Sequence, residues 1–407
     1  MQELISFREA EVQAVIPTDS QTDIWSEDET EPSVDETSEQ ESSEFAESGT
    51  EISSEDISDV SEEVTDMNGE QLVSVIDEQI KLAFENYNPG IEEYDSLYGS
   101  VRGVIEEVNK SIVSIEVSQD GTTWDYISDA GIRGFIVAED DKFFYMVTVK
   151  ELVENKTLSV IMGDGTIASG VYLTGDATTN LAVIAVDKSI YGGNIPDSVK
   201  TVVLGNSYVL KQGEPLIALG NIYGQGDMAV YTMAASTKNT LMDTDCTYRI
   251  IGTDIISGAD DTGIIVNTKG EVIAIIPYHN ENMSGEIINT YGISELKRLI
   301  ERLINGKVTP YVGIKPQTVT AAMKEAYGMP DGIYVSSVEA DSPAFYAGVQ
   351  SGDIITSVGT ENVSTTRTFQ NVLFTMEPGN SAVMYISRPG KDGYRNIEIT
   401  LELGVEQ

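Results

Sequence analysis

The sequence has one histidine, His279, one cysteine, Cys246, and only 24 basic residues against 67 acidic ones in its 407 positions. A single cysteine excludes an intrachain disulfide and a Cys-rich zinc site. One His and one Cys lying 33 positions apart make no ligand cluster, and no Asp-x-Asp-x-Asp-Gly run points to calcium. Neither a metal nor a cofactor is expected. The net charge of −43 argues against nucleic acid, whose binding rests on Lys and Arg displacing counterions, and disfavours docking on anionic lipid. No apolar run reaches the roughly 18 residues of a membrane-spanning helix. Residues 1–14 lack the basic and then apolar stretches of a signal peptide.

The acid is concentrated. Residues 1–70 carry 23 Asp or Glu and one base, Arg8, close to half of the whole excess. Within them, 18–66 are Ser, Thr, Glu and Asp with scattered apolar residues. Such a segment buries too little apolar surface to offset its ordering entropy, so residues 1–68 are expected to form a disordered acidic stalk. From Gly69 the pattern turns helical: Val73, Ile76, Ile80 and Phe84 recur at spacings of three and four. Asn88-Pro89-Gly90 ends that helix, and a second runs from Ile91 to Asn109. Together, 69–109 read as a helical collar.

Between residues 111 and 306 short apolar runs alternate with turn signals. Examples are 112–117, 158–162, 181–186 and 271–276, with Gly163-Asp164-Gly165 and Thr268-Lys269-Gly270 as hairpin turns. Almost no helix appears until 294–305, so a β-barrel or paired barrels are expected. Asn305-Gly306 caps that helix, with Pro310 just beyond. A last unit of short strands, with helices near 321–327 and 366–376, fills 307–407.

Several segments in this order resemble the HtrA (DegP-like) branch of the trypsin-fold serine proteases. Asn180-Leu181-Ala182-Val183 is similar to the family's D-L-A-V strand. Gln212 to Asn221 resembles its G-x-x-V-x-A-I-G-N-P strand and turn. Thr253-Asp254 followed by Gly263-Ile264-Ile265-Val266-Asn267 and Gly270-Glu271-Val272-Ile273 looks like its nucleophile loop and the strands beyond. Tyr311-Val312-Gly313-Ile314, Ser342-Pro343-Ala344, Ala347-Gly348-Val349 and Gly352-Asp353-Ile354-Ile355 match its PDZ motifs. The resemblance implies a mainly β chain: a trypsin-like double β-barrel over 110–306, then a PDZ domain over 307–407.

Protease chemistry of this type needs a hydroxyl to attack, an imidazole to take its proton and a carboxylate to orient the imidazole. By the resemblance the base position falls on Glu151, or on Lys150 if a gap shifts. The orienting carboxylate falls on Asn180. The nucleophile loop, Ser257 to Gly263, is one residue short, so Thr262 or Asp261 takes the serine position. The only histidine follows the strand after that loop, whereas the family draws its base from the early barrel. The sequence reading is therefore a protease homologue without a functional triad. The alternative is an active endopeptidase with an unusual site.

The PDZ resemblance implies that peptides or protein C-termini add to a sheet edge and meet backbone N–H groups. Tyr311, Val312, Gly313 and Ile314 would form the carboxylate loop. Phe369 and Leu373, on the facing helix, are placed between groove and core. The acidic stalk resembles the linker of membrane-tethered relatives, so a cell-surface location with a tether N-terminal to this chain is expected. The sequence leaves the oligomeric state and the ligand open.

Overall fold

Strands that are apolar along their whole length must be covered on both faces, and this constraint organises the fold. The computed structural model describes residues 81, 90–118, 131–258, 260–279, 286–391 and 393–406. The acidic stretch of the sequence, and all but Lys81 of the helix expected over 73–84, lie outside them. Among the described residues, 100–406 belong to one compact unit. Helix α1 (Ile91–Asn109) leads into it, and its later residues Val101, Val104, Ile105 and Val108 pack on that unit's core.

Six strands follow, with a short helix among them: β1 (Ile112–Ser118), β2 (Ile132–Glu139), β3 (Phe143–Val149), α2 (Lys150–Val153), β4 (Thr157–Ile161), β5 (Ile167–Gly175) and β6 (Leu181–Asp187). They close into an antiparallel barrel of order β1-β2-β3-β6-β5-β4. Strand alternation explains the unbroken apolar runs. On β3, Phe144 and Met146 fill the barrel; on β6, Ala182, Ile184 and Val186 do so. The residues between them, Tyr145, Val147, Leu181, Val183 and Ala185, join a second core.

That second core is shared with the next sheet: β7 (Val203–Leu204), β8 (Pro215–Ile222), β9 (Gln225–Met233), β10 (Ser236–Asp243), β11 (Cys246–Ile256), β12 (Asp261–Asn267), β13 (Glu271–His279) and β14 (Ile287–Gly292). Its order is β10-β11-β14-β13-β12-β8-β9, with β7 parallel to β13. Ile217, Leu219, Ile264 and Val266 face the shared core, while Leu216, Ala218 and Ile265 fill the sheet's own interior. This second barrel is not closed by hydrogen bonds: β9 meets β11 near the opposite edge, but no ladder joins them. The expected turns are present, with Gly163 to Thr166 between β4 and β5 and Thr268 to Gly270 between β12 and β13.

Helix α3 (Ile293–Ile304) buries Ile293, Leu296, Leu299, Ile300, Leu303 and Ile304 in the shared core. Each such side chain contributes roughly 1.5–3 kcal/mol relative to exposure. The last unit holds β15 (Ile314–Thr318), α4 (Ala321–Tyr327), β16 (Ile333–Val338), α5 (Pro343–Ala347), β17 (Ile354–Val358), β18 (Glu361–Asn362), α6 (Thr366–Leu373), β19 (Ser381–Gly390) and β20 (Gly393–Glu402). Its sheet runs β15-β16-β17-β19-β20 around a separate core. The last helix is shorter than the expected 366–376: a Thr365–Thr368 capping box starts it, and it stops at Leu373.

Arg302, in the last turn of α3, binds this unit. Its guanidinium donates to the carbonyls of Val308, Phe374 and Met376 at 2.8–3.0 Å and to Glu377 Oε2 at 2.6 Å. The carbonyls just after α6 lack helical partners, and a cation satisfies them. Replacing Leu299 with Ala is expected to cost about 2–5 kcal/mol through the cavity it leaves, measurable as a shift in the urea unfolding midpoint.

Candidate functional site

The positions matched to base and orienting acid come first. Asp176 accepts from the N–H and hydroxyl of Thr179 at 2.9 and 2.8 Å, tightening the loop that delivers Asn180. Asn180 has φ 56, a left-handed conformation that Asn tolerates better than most residues. From there it grips the start of α2. The Lys150 N–H donates to its carbonyl at 2.8 Å. The Glu151 N–H donates to its Oδ1, and its Nδ2 donates to Glu151 Oε2, both at 3.0 Å. The two positions that the resemblance assigns to base and orienting acid therefore meet, but as an exposed carboxylate and an amide. Lys150 Nζ lies 3.8 Å from Glu154 Oε2, an ion pair and not a free amine.

At the first position of β12, Asp261 is fully buried. Its carboxylate accepts from the N–H of Gly258 at 2.6 Å and of Gly224 at 3.0 Å. Gly258 approaches so closely that a Cβ there would lie 2.6 Å from the Tyr223 backbone. Asp260, at φ 60, accepts from the Tyr278 hydroxyl at 2.7 Å. Thr262 is buried in β12, paired with Asn221 of β8, and Ser257 is buried with its N–H on Glu286. The backbone of His279 pairs with Asp261 across β12 and β13; its side chain lies outside the described residues. The histidine thus belongs to the second sheet, while Glu151 belongs to the first barrel.

The loop of the last unit is more telling. Gly313, at φ 87, faces Ser342 so tightly that a Cβ would fall 2.1 Å from Ser342 Cβ, so only glycine brings the backbone in. The N–H groups of Val312, Gly313 and Ile314 converge on one point, and a carboxylate occupies it. It belongs to Asp245, in the two-residue turn between β10 and β11. Val312 N–H donates to Oδ2 at 2.6 Å and Ile314 N–H to Oδ1 at 2.9 Å, while Gly313 N–H reaches both oxygens at 3.0 and 2.9 Å. The Asp245 N–H donates in return to the Ile314 carbonyl at 2.7 Å. Burial pushes the Asp245 carboxyl up to about 7, against the pull of the three N–H groups.

Tyr311, the loop's first residue, bridges to Gly404 and donates its hydroxyl to Glu339 at 3.2 Å. Phe369 and Leu373, placed between groove and core from sequence, are 0% and 2% exposed and pack in the core of the last unit. Helix α6 that carries them lies against β11, so neither lines an open groove. Asp245 was missed by sequence reasoning. Its local signal, a Thr-Asp turn, is the ordinary signal of a hairpin.

A PDZ domain family profile matches residues 310–401. The chain is 27% identical over 276 residues to a probable periplasmic serine endoprotease, DegP-like, of Halomonas elongata, covering 66% of this chain and 55% of that one. It is 26% identical over 334 residues to the serine protease Do-like HtrB of Bacillus subtilis, covering 74% and 71%. The chain thus spans about half the length of the DegP-like relatives. Among solved structures, the HtrA-type protease AlgW with a tripeptide matches 75% of this chain and 97% of its own, at TM-score 0.52 and 19% identity. The fold is that of a trypsin-type double barrel joined to a PDZ domain. The chain is HtrA-like.

Removing the Asp261 carboxylate strands two backbone N–H groups. Asp261→Ala is expected to lower stability by about 2–4 kcal/mol, read by chemical denaturation, with Asp261→Asn losing less.

Proposed function

We propose that this chain is a non-catalytic HtrA-like protein that binds peptides or protein C-termini through its PDZ domain, at the cell surface. One observation carries the reading: three main-chain N–H groups, those of Val312, Gly313 and Ile314, converge on a carboxylate at the end of an edge strand. A loop that holds one carboxylate in this way has the chemistry to hold another. Tyr311, Val312, Gly313 and Ile314 are the proposed ligand-binding residues, with Phe369 and Leu373 supporting the groove from the core. The solved relatives described with a tripeptide or a decapeptide bind peptides of that kind, which favours the same ligand class here.

The absence of catalysis rests on the occupants of the triad positions. Glu151 and Asn180 bond to each other, and neither is an imidazole, the group that takes and returns a proton near neutral pH. At the nucleophile position Asp261 has no hydroxyl, and Thr262 is buried in a strand. Loss of a triad member costs about 10⁶ in rate in the best-measured case. The location follows the relatives named periplasmic and the acid-rich N-terminal segment, with a tether preceding this chain. No helix among the described residues is long and apolar enough to cross a membrane.

A fluorogenic casein assay tests the absence of catalysis. The chain, Asp261→Asn and Thr262→Ala are all expected to match the buffer blank. Turnover by the parent that either substitution abolishes makes the chain a working endopeptidase, as its relatives are named.

A further inference from the structure

The PDZ loop is occupied by the chain itself. Recognition of an extended C-terminal residue needs two things at once: N–H donors for both carboxylate oxygens, and a strand carbonyl for the residue's own N–H. Asp245 supplies both from one residue, its side-chain carboxylate to the loop and its N–H to Ile314 O. Its φ of 58 puts the backbone N–H and the carboxylate on the same side of the tight turn.

We propose that the β10–β11 hairpin is an internal ligand of the PDZ carboxylate loop, so that a peptide C-terminus enters only after Asp245 has left. The inference rests on the peptide-binding reading above for the identity of the competitor, and on the geometry alone for the closure. The hairpin covers more than the loop. Thr244 Oγ1 donates to Glu339 Oε1 at 2.7 Å, and Thr247 Oγ1 to the Pro316 carbonyl at 3.3 Å. Ser336 Oγ contacts Met242 Sδ at 3.3 Å. Edge strand β15 thereby lies beside β10, where a peptide strand would add. One set of N–H groups cannot serve two carboxylates, so occupancy is exclusive. The Arg302 contacts to the carbonyls after α6 do not involve the hairpin, so the PDZ domain stays attached when the groove opens.

The surroundings make the closure sensitive to pH. Beside Asp245 are Glu406 and Tyr311 from the PDZ side and Cys246 from its own hairpin, and around these three lie Glu339, Asp243 and Asp176. None is a cation. The closed carboxyl titrates at about 7, whereas a released Asp returns to roughly 3.9. Opening therefore gives up a proton between those values. The closed form is favoured most below that window and loses the advantage as pH rises through about 7.

The test uses the full chain and Asp245→Asn, which keeps a residue that accepts positive φ while replacing one accepting carboxylate oxygen with an NH₂ group that cannot accept from the loop. Asp245→Gly serves as a second variant, and a thermal melt confirms that each folds. The probes are a labelled decapeptide library with free C-terminal carboxylates and the same library amidated; hydrogen exchange is followed at the amides of 312–314. The variants are expected to exchange these amides at least about tenfold faster and to bind the free-carboxylate library at least about tenfold tighter than the parent. The amidated library should not bind. Unchanged exchange and equal library affinity in parent and variants overturn the proposal. Faster exchange without peptide binding upholds the closure and defeats the peptide-binding reading instead.

Discussion

The carboxylate of Asp245 lies where water does not reach it, so the chain must supply its hydrogen-bond donors. It finds them 67 to 69 residues away, in three consecutive N–H groups of another domain. Much of the architecture serves this one contact. The two-residue turn holds the carboxylate at the tip of β10 and β11. Gly313 lets the receiving backbone approach Ser342 without a side chain in the way. From the far side, Arg302 and the stacking of Arg367 on Tyr208, 4.7 Å from guanidinium to ring centroid, hold α6 to the trypsin-type domain.

A second buried carboxylate, Asp261, plays a similar part at the start of β12, where it gathers the N–H groups of Gly258 and Gly224. In both places N–H groups at or beside a glycine point inward, and an aspartate of the same chain satisfies them. A protein with 67 acidic residues has turned two of them into internal ligands for its own backbone. That use of acid fixes loops in place and leaves little room for an external anion.

Most of the fold was legible in the sequence because strand burial writes itself into local pattern. The runs at 112–117 and 181–186 are apolar throughout since alternate residues face different cores. The helix expected at 294–305 appears within one residue of its bounds because Gly292 precedes it and Asn305-Gly306 follow it. The resemblance singled out Glu151 and Asn180 as triad-equivalent positions, but not the hydrogen bonds between them. The open edge of the second sheet was not, since ladder closure depends on register between distant strands. Nor was the full burial of Phe369 and Leu373, because helical spacing alone does not tell a groove wall from a core. Asp245 was the least visible of all: a Thr-Asp pair between strands signals a turn, and nothing local says that its side chain ends in another domain.

The most direct measurement is the carboxyl ¹³C shift of Asp245, followed by NMR from pH 4 to 9 together with the amide resonances of Val312, Gly313 and Ile314. The account predicts one shared transition near pH 7 in all four signals. A carboxyl transition to which the loop amides are indifferent would contradict the closed groove.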